Sequence, residues 1–378
     1  MKILQIIPYY LPSDNFGGTP VVCHNLSTNL TRLGNEVTVL TTDAFSPNKR
    51  LTSYSSDRKY PYKIVRFRNV SNFLAFNFKF TQPLESIFYL GKHLKKFNVV
   101  HLNEYRTLMN LFACILKPKS NIKYILHPQG TYRNYGRSTF YKKLFDALFV
   151  KFIDKKIDLY IAISEKEKKD LIKSGVKKTK ISLLYNGIDK IRNKKVKFIV
   201  PRNYFLYLGQ ISERKGAQNL VKSFYLSGVY KKGYKLLVVG RDDGYLNILK
   251  NKIIAFGISK YVIFHKAVSQ AESRYLLKKS RLVYYVSKNE AFGLVPLEAA
   301  VNGTWSLVEN SSGVAEILKK YSISETSNFE DVKTISNSLL KFSRTNKRIP
   351  SKKVQNIAHD FSWKKKTLEL VEIYNSLI

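Results

Sequence analysis

Two carboxylates, Glu290 and Glu298, stand eight positions apart on either side of Ala291-Phe292-Gly293-Leu294-Val295-Pro296-Leu297. The polar run before them reads as a loop, and Val295 to Val301 reads as the start of a helix. Glu290 then precedes the helix and Glu298 lies within it. In that arrangement the amides of Phe292, Gly293 and Leu294 point out of the helix amino terminus, where unpaired N–H groups and the helix dipole suit an anion. Carboxylates accept hydrogen bonds from vicinal hydroxyls, so the pair suits a sugar or a ribose. Read alone, the same two residues also fit a solvated helix glutamate and a turn glutamate.

Groups of this kind need a scaffold that gathers loops at one edge. Ile3 to Ile7 reads as a buried strand, Gly17-Gly18 as a glycine loop, Pro20 to Leu33 as a helix closed by Gly34, and Glu36 to Thr41 as a second strand. Strands at Val99 to Leu102, Lys123 to Leu126 and Asp158 to Ile163 alternate with helices at Leu108 to Leu116 and Phe140 to Ile153. After a basic linker at Lys190 to Lys197 the pattern begins again, with strands at Tyr204 to Leu208, Lys235 to Val239 and Tyr261 to Phe264 and a helix at Ala217 to Leu226. The expectation is an α/β protein of two doubly wound, Rossmann-like halves facing a central cleft, divided as 1–192 and 193–360, with 361–378 a final helix that the residues alone assign to neither half, a crossing back to the first being one of the two outcomes. Ser362 is a candidate cap for that helix, and Trp363, Leu368, Leu370, Val371 and Tyr374 are its apolar contacts. Gly17-Gly18 and Gly209 follow strands, where a backbone can approach phosphate, although a glycine there is also an ordinary turn residue. Neither loop is a Walker A or G-x-G-x-x-G sequence, which argues against an ATPase or a dinucleotide-dependent dehydrogenase.

The block Glu290 to Glu298, with Phe292-Gly293-Leu294 inside it and Ala299-Ala300-Val301-Asn302-Gly303-Thr304 after it, resembles the donor-site signature of glycosyltransferase family 4. Further matches run in order along the chain: Phe16-Gly17-Gly18, Gly34 to Thr41, Ser164-Glu165, Asn186-Gly187-Ile188-Asp189, Tyr207-Leu208-Gly209 through Lys215-Gly216, and Phe361-Ser362-Trp363. The resemblance implies the GT-B fold and retaining transfer of a sugar from a nucleotide diphosphate donor to a saccharide or lipid-linked acceptor, in cell-surface polysaccharide synthesis. It implies that Glu298 binds the ribose hydroxyls, that Glu290 binds hydroxyls of the transferred sugar, and that Lys215 neutralises the pyrophosphate. Phe292, Gly293 and Leu294 then add backbone donors, and Gly17 and Gly18 let a loop of the first half reach the phosphates. No metal or other cofactor is called for, because fixed cations and helix amino termini take up the leaving charge. The family usually carries Arg where this chain has Gln210, so Arg214 is expected to supply the missing charge. The first half is expected to bring a histidine to the reacting carbon. His127 is chosen over His101, although the pattern of some relatives falls two residues later, at Gln129.

The 378 residues hold 65 Lys plus Arg against 27 Asp plus Glu, a formal charge of 65 − 27 = +38, with 44% hydrophobic residues. That composition fits two sizeable cores and argues against disorder. Two distant cysteines, Cys23 and Cys114, form neither a disulfide framework nor a zinc pattern, and a reducing compartment suits them. The amino-terminal apolar run is too short for a signal peptide, and no stretch approaches the ~20 apolar residues of a membrane span. Arg58 to Phe80 carries six Lys or Arg, seven Phe or Tyr and no acid, and Lys142 to Lys180 carries twelve Lys against six acids. Such runs suit an anionic membrane surface, and they suit a plain solvated face as well. A cytoplasmic protein, peripheral on the inner face of the plasma membrane, is the expectation. Nucleic acid is not expected as a partner, because no binding motif for it is legible. A basic nucleic-acid-binding protein and a catalytically silent GT-B binding protein remain the alternatives.

Overall fold

The computed structural model describes residues 1–13, 17–46, 49–78, 80–132, 139–189 and 196–378. They fall into two compact units, Met1–Gly187 with Trp363–Ile378, and Ile188–Ser362. The boundary expected between 192 and 193, most of the linker before it, and Phe16 lie outside the described residues.

The first unit is built on strands β1 (Lys2–Ile6), β2 (Glu36–Thr42), β3 (Lys63–Phe67), β4 (Val99–Asn103), β5 (Lys123–His127), β6 (Leu159–Ala162) and β7 (Ile181–Leu183), in the order β3-β2-β1-β4-β5-β6-β7. All neighbouring pairs are parallel. Residues 3–6 of β1 are buried on both faces, as the near-continuous apolar run of a covered parallel strand requires. Helix α1 (Thr19–Arg32) starts with Pro20 in its first turn, where a missing N–H costs nothing, and buries Val22, Cys23, Leu26 and Leu30 on one face. Both cysteines are buried and free.

The basic run Arg58 to Phe80 is not one surface. Its centre, Lys63–Phe67, is edge strand β3, and the Arg66 side chain is buried against Asp57 at 2.7 Å. Tyr62 is buried too, stacked on Tyr60, so the rings serve the fold here more than the surface.

The second unit repeats the plan with β8 (Tyr204–Leu208), β9 (Lys235–Val239), β10 (Val262–His265), β11 (Val283–Tyr285), β12 (Ser306–Glu309) and β13 (Ser324–Ser327), in the order β10-β9-β8-β11-β12-β13 and again all parallel. In each sheet the order reverses beside the first strand, between β1 and β4 and between β8 and β11. Ligand crevices of doubly wound sheets open at the carboxyl ends of the strands at such a reversal. At that edge of the second sheet Gly209 and Gly240 pack backbone to backbone, and a Cβ on Gly240 would sit 1.7 Å from the Gly209 carbonyl oxygen. Gly240→Ala is therefore expected to lower the melting temperature by about 5 °C or more. Gly91→Ala, whose added methyl meets nothing within 4 Å, should leave it level or slightly raised, and circular dichroism melts compare the two.

After the second unit the chain returns to the first as helix Trp363–Asn375, which packs on α1 and bonds the Tyr374 hydroxyl to Nδ1 of His101 at 2.6 Å. A Cβ on Gly187 would lie 2.6 Å from the Trp363 ring, which explains the glycine of Asn186-Gly187. Trp363, Leu370 and Tyr374 are buried as expected, whereas Leu368 is on the outside and 41% exposed. The Ser362 hydroxyl donates to the carbonyl of His359.

Candidate functional site

The loops that follow β8 and β11, neighbours at the reversal of the second sheet, bring the sequence-selected residues together. Beyond β8 the Tyr207 hydroxyl bonds to the carbonyl of Gln210 at 2.6 Å, and a single turn, Glu213–Lys215, leads to left-handed Gly216. A Cβ on Gly216 would meet the Val286 carbonyl at 2.5 Å, so only glycine lets this turn lie on the end of β11. Arg214 and Lys288 then bond backbone to backbone at 2.9 Å. The clamp sets Lys215 Nζ 2.5 Å from a Glu290 carboxylate oxygen, with the Ser287 hydroxyl donating to the same oxygen at 3.0 Å and Arg214 at 3.6 Å from it. Lys215 also lies over the Tyr285 ring, 5.0 Å from its centroid.

Burial alone would raise the Glu290 carboxyl, but Lys215 and Arg214 outweigh it and hold the group down at about 2. Lys215 is itself lowered from its ordinary value by burial and by Arg214, against the pull of Glu290. At neutral pH the pair is a carboxylate and an ammonium. The Gln210 side chain has no hydrogen bond among the described residues, and Arg214 stands beside the carboxylate that Lys215 holds. Arg214 is thus a second cation beside Glu290.

Helix α2 (Leu294–Val301) follows at once. Gly293 has φ +107°, and a Cβ there would stand 2.8 Å from the Tyr285 ring. No side chain caps this helix, so among the described residues the N–H groups of Leu294 and Val295 keep their hydrogen-bonding capacity. Phe292 is buried and fixes the turn through its carbonyl, which accepts from Val314 N–H at 2.9 Å. Glu298 lies one turn into α2, partly buried, and no described residue donates a hydrogen bond to its carboxylate. Burial pushes it up to about 7, with Arg274 lowering it and Asp189 raising it. Asp189 is held in place by Gln270 at 3.0 Å and Arg274 at 3.3 Å.

Other expected residues belong to the first unit. Gly17, with φ +92°, and Gly18 are exposed at the amino end of α1. His127 ends β5 but is an interior residue, 1% exposed, and its Nδ1 lies 3.2 Å from Nε2 of His101. The Nε2 of His127 has no partner among the described residues, and burial holds the ring well below its ordinary value. Gln129 is the one of the two open positions that reaches the surface. It has φ +52° at the apex of a tight turn, Pro128 to Thr131, with its amide donating to Asn103 at 2.9 Å. A left-handed glutamine costs about 1–3 kcal/mol and persists where neighbours over-determine it. Buried Glu167, which the sequence reading missed, does this by accepting from Gly130 N–H at 2.6 Å and Ile163 N–H at 2.9 Å. Ser164 and Glu167 do carry the spacing of a capping box, and the Ser164 hydroxyl does accept from Glu167 N–H, but the carboxylate is turned to the strand ends.

Two parallel α/β units of this make are the GT-B fold, and solved structures share it along the whole chain. Anabaena HepE in complex with UDP superposes with a TM-score of 0.74 at 15% identity, covering 100% of both chains. WaaG, a glycosyltransferase involved in lipopolysaccharide biosynthesis, superposes at 0.66 and 15% identity over 98% of this chain and 99% of that one. Residues 16–192 match Glycosyltransferase Family 4 and residues 189–356 match the glycosyl transferases group 1, and the chain belongs to glycosyltransferase family 4. It is 28% identical over 188 residues to the O-antigen chain mannosyltransferase RfbU of Salmonella typhimurium, a match spanning 49% of this chain and about half of that relative, 51%. It is 22% identical over 308 residues to the GDP-mannose:cellobiosyl-diphosphopolyprenol alpha-mannosyltransferase of Xanthomonas oryzae, 80% of this chain and 77% of that one.

Proposed function

We propose that the protein is a retaining glycosyltransferase that moves a hexose from a nucleotide diphosphate sugar to a saccharide or lipid-linked acceptor in cell-surface polysaccharide assembly. The observation that carries this reading is the convergence, at the reversal of the second sheet, of Lys215 and Arg214 on Glu290 beside the uncapped amino end of α2 and unbonded Glu298. Departure of a nucleoside diphosphate builds negative charge on its phosphate oxygens, and preorganised cations and N–H donors stabilise it without reorganising water. Lys215, Arg214 and the amides of Leu294 and Val295 are placed for that charge. Glu298 is placed to accept from ribose hydroxyls, and Glu290 from hydroxyls of the sugar once the diphosphate draws Lys215 toward itself. The diphosphate oxygen that leaves can take the acceptor's proton on the same face, which gives retention without a protein base. In the first unit Gly17 and Gly18 are assigned to the phosphates and His127 to the reacting carbon, with Gln129 the alternative two residues on.

RfbU and the Xanthomonas enzyme are named mannosyltransferases, the latter of GDP-mannose, which favours a mannose donor carried on GDP. RfbU is named for an O-antigen chain and the Xanthomonas enzyme for a diphosphopolyprenol-linked acceptor, so we place the reaction at the cytoplasmic face of a membrane, with anionic lipid as a partner. No helix of the described residues is long and apolar enough to cross a membrane.

The test is a thermal-shift titration with UDP, GDP, ADP and a single-stranded oligonucleotide, since a ligand bound only by the native state raises its apparent stability. Selective stabilisation by one nucleoside diphosphate, followed by transfer from its sugars, is the expected result. Stabilisation by the oligonucleotide alone would make the charge, and not the site, the functional feature. Nucleotide binding with no transfer from any donor would leave a binding protein.

A further inference from the structure

Helical stretches Thr139–Phe145, Asp146–Val150 and Lys151–Lys156 run on without a break in the first unit. The segment buries Phe145 and Ile153 against the core. One position before each of these, and at Leu148 between them, it does the opposite. Leu144, Leu148 and Phe152, spaced by four, are 48%, 61% and 37% exposed and form a second apolar stripe turned to solvent. Lysines 143, 151 and 155 are exposed beside it.

The acids of the same region are turned inward and occupied. Asp146 pairs with Arg106 at 2.6 Å, Asp154 accepts from the hydroxyls of Tyr105 and Tyr160, and Asp158 pairs with Lys117 at 2.7 Å. Sequence charge alone hides this, because the acids alternate with the lysines along the chain. In three dimensions the segment separates them, acids to the core side and lysines outside.

We propose that this face, with Leu144, Leu148 and Phe152 at its centre, docks the protein on an anionic lipid surface. An amphipathic helix lying in the headgroup layer needs an apolar stripe to enter the acyl boundary and cations to meet the lipid phosphates, and this segment presents both. Charge complementarity selects that occupant over a second copy of the chain, which would bring lysine rims and two charges of +38 together. The docking rests on the reading of a membrane-borne acceptor for its purpose, but the surface is independent of the nucleotide site. It adds to Arg58 to Phe80, where Tyr62 and the Arg66 side chain are buried while Arg58, Lys59, Lys63 and Arg68 stay exposed.

The experiment is flotation of the full chain with vesicles of phosphatidylcholine alone and of phosphatidylcholine mixed with phosphatidylglycerol. The variants are Leu148→Ser with Phe152→Ser, Lys151→Gln with Lys155→Gln, and, as a separate exposed aromatic pair, Phe73→Ser with Phe88→Ser. The wild type should float with the mixed vesicles only. The first two variants should lose roughly tenfold or more of that partitioning, and the third should keep it, with unchanged melting temperatures throughout. Equal flotation of the Leu148/Phe152 variant and the wild type overturns the proposal, and a loss confined to the Phe73/Phe88 variant moves lipid contact to another face. Failure of the wild type to float with either vesicle also overturns it. A wild-type dimer in lipid-free solution that the Leu148/Phe152 variant abolishes assigns the stripe to a second copy instead. Nucleotide-induced stabilisation, measured on the same variants, reports separately on the proposed function.

Discussion

Lys215→Ala is expected to lower sugar transfer by about a hundredfold or more, because removing one preorganised donor to a developing anion commonly costs 10²–10³ in rate. The expected loss is largest here because Lys215 is the cation held nearest the Glu290 carboxylate, at 2.5 Å, whereas Arg214 is 3.6 Å away and its side chain 42% exposed. The substitution also strands a largely buried carboxylate, so part of any effect would be instability, and breaking such a pair can cost several kcal/mol. The double variant Lys215→Ala with Glu290→Gln separates the two. It should recover most of the melting temperature while transfer stays at the level of Lys215→Ala. Recovery of transfer along with stability would remove Lys215 from the chemistry. Glu290→Gln alone should cut transfer at least about tenfold and leave nucleotide binding close to wild type, since its proposed contact is with the sugar.

Glu298→Gln is expected to flatten the pH dependence of nucleoside diphosphate binding. Burial raises the Glu298 carboxyl from 4.5 to about 7 in the free protein. An acid raised in the folded state favours folding most when protonated, so its contribution to stability is fully present below about 4.5 and is lost as pH climbs to about 7. Binding has the opposite sign, because ribose hydroxyls donate best to the ionised carboxylate. Affinity should therefore rise by up to about tenfold from about pH 6 to about pH 8, with proton release on binding near the acid end of that range. Isothermal titration in buffers of different ionisation enthalpy measures both. The phosphate of the ligand titrates in the same interval, and the Glu298→Gln variant retains that background. The difference between the two profiles isolates the carboxylate, and identical profiles would take Glu298 out of the ribose contact.

Much of the architecture was legible because the strands that build it are runs such as Ile3 to Ile6, apolar but for Gln5, or Leu236 to Val239, apolar on both faces and closed by Gly240. Lys63–Phe67 was not, since an edge strand with two cations among five residues has the composition of a solvent face. The residues around Glu290 could be picked out by type and spacing. Their pairing with Lys215 could not, because the partners are 75 positions apart and meet only when β8 and β11 become neighbours. That His127 is buried while the Pro128 turn lifts Gln129 out of the core could not be read from the sequence either, because it depends on a left-handed backbone at Gln129. Glu167 was invisible for a related reason: its spacing from Ser164 announces a helix start, and nothing local announces a bond to Gly130, 37 positions earlier.

The return of helix Trp363–Asn375 to the first unit has a consequence for how the chain is made. A ribosome must synthesise all of Ile188–Ser362 before it reaches the segment that covers α1 and meets His101. During that interval the second unit has every residue it needs, while the first exposes the face of α1 that the last helix will cover, with a buried-type histidine lacking its tyrosine. The unit that begins first is completed last, and the order of maturation along this polypeptide runs opposite to the order of synthesis.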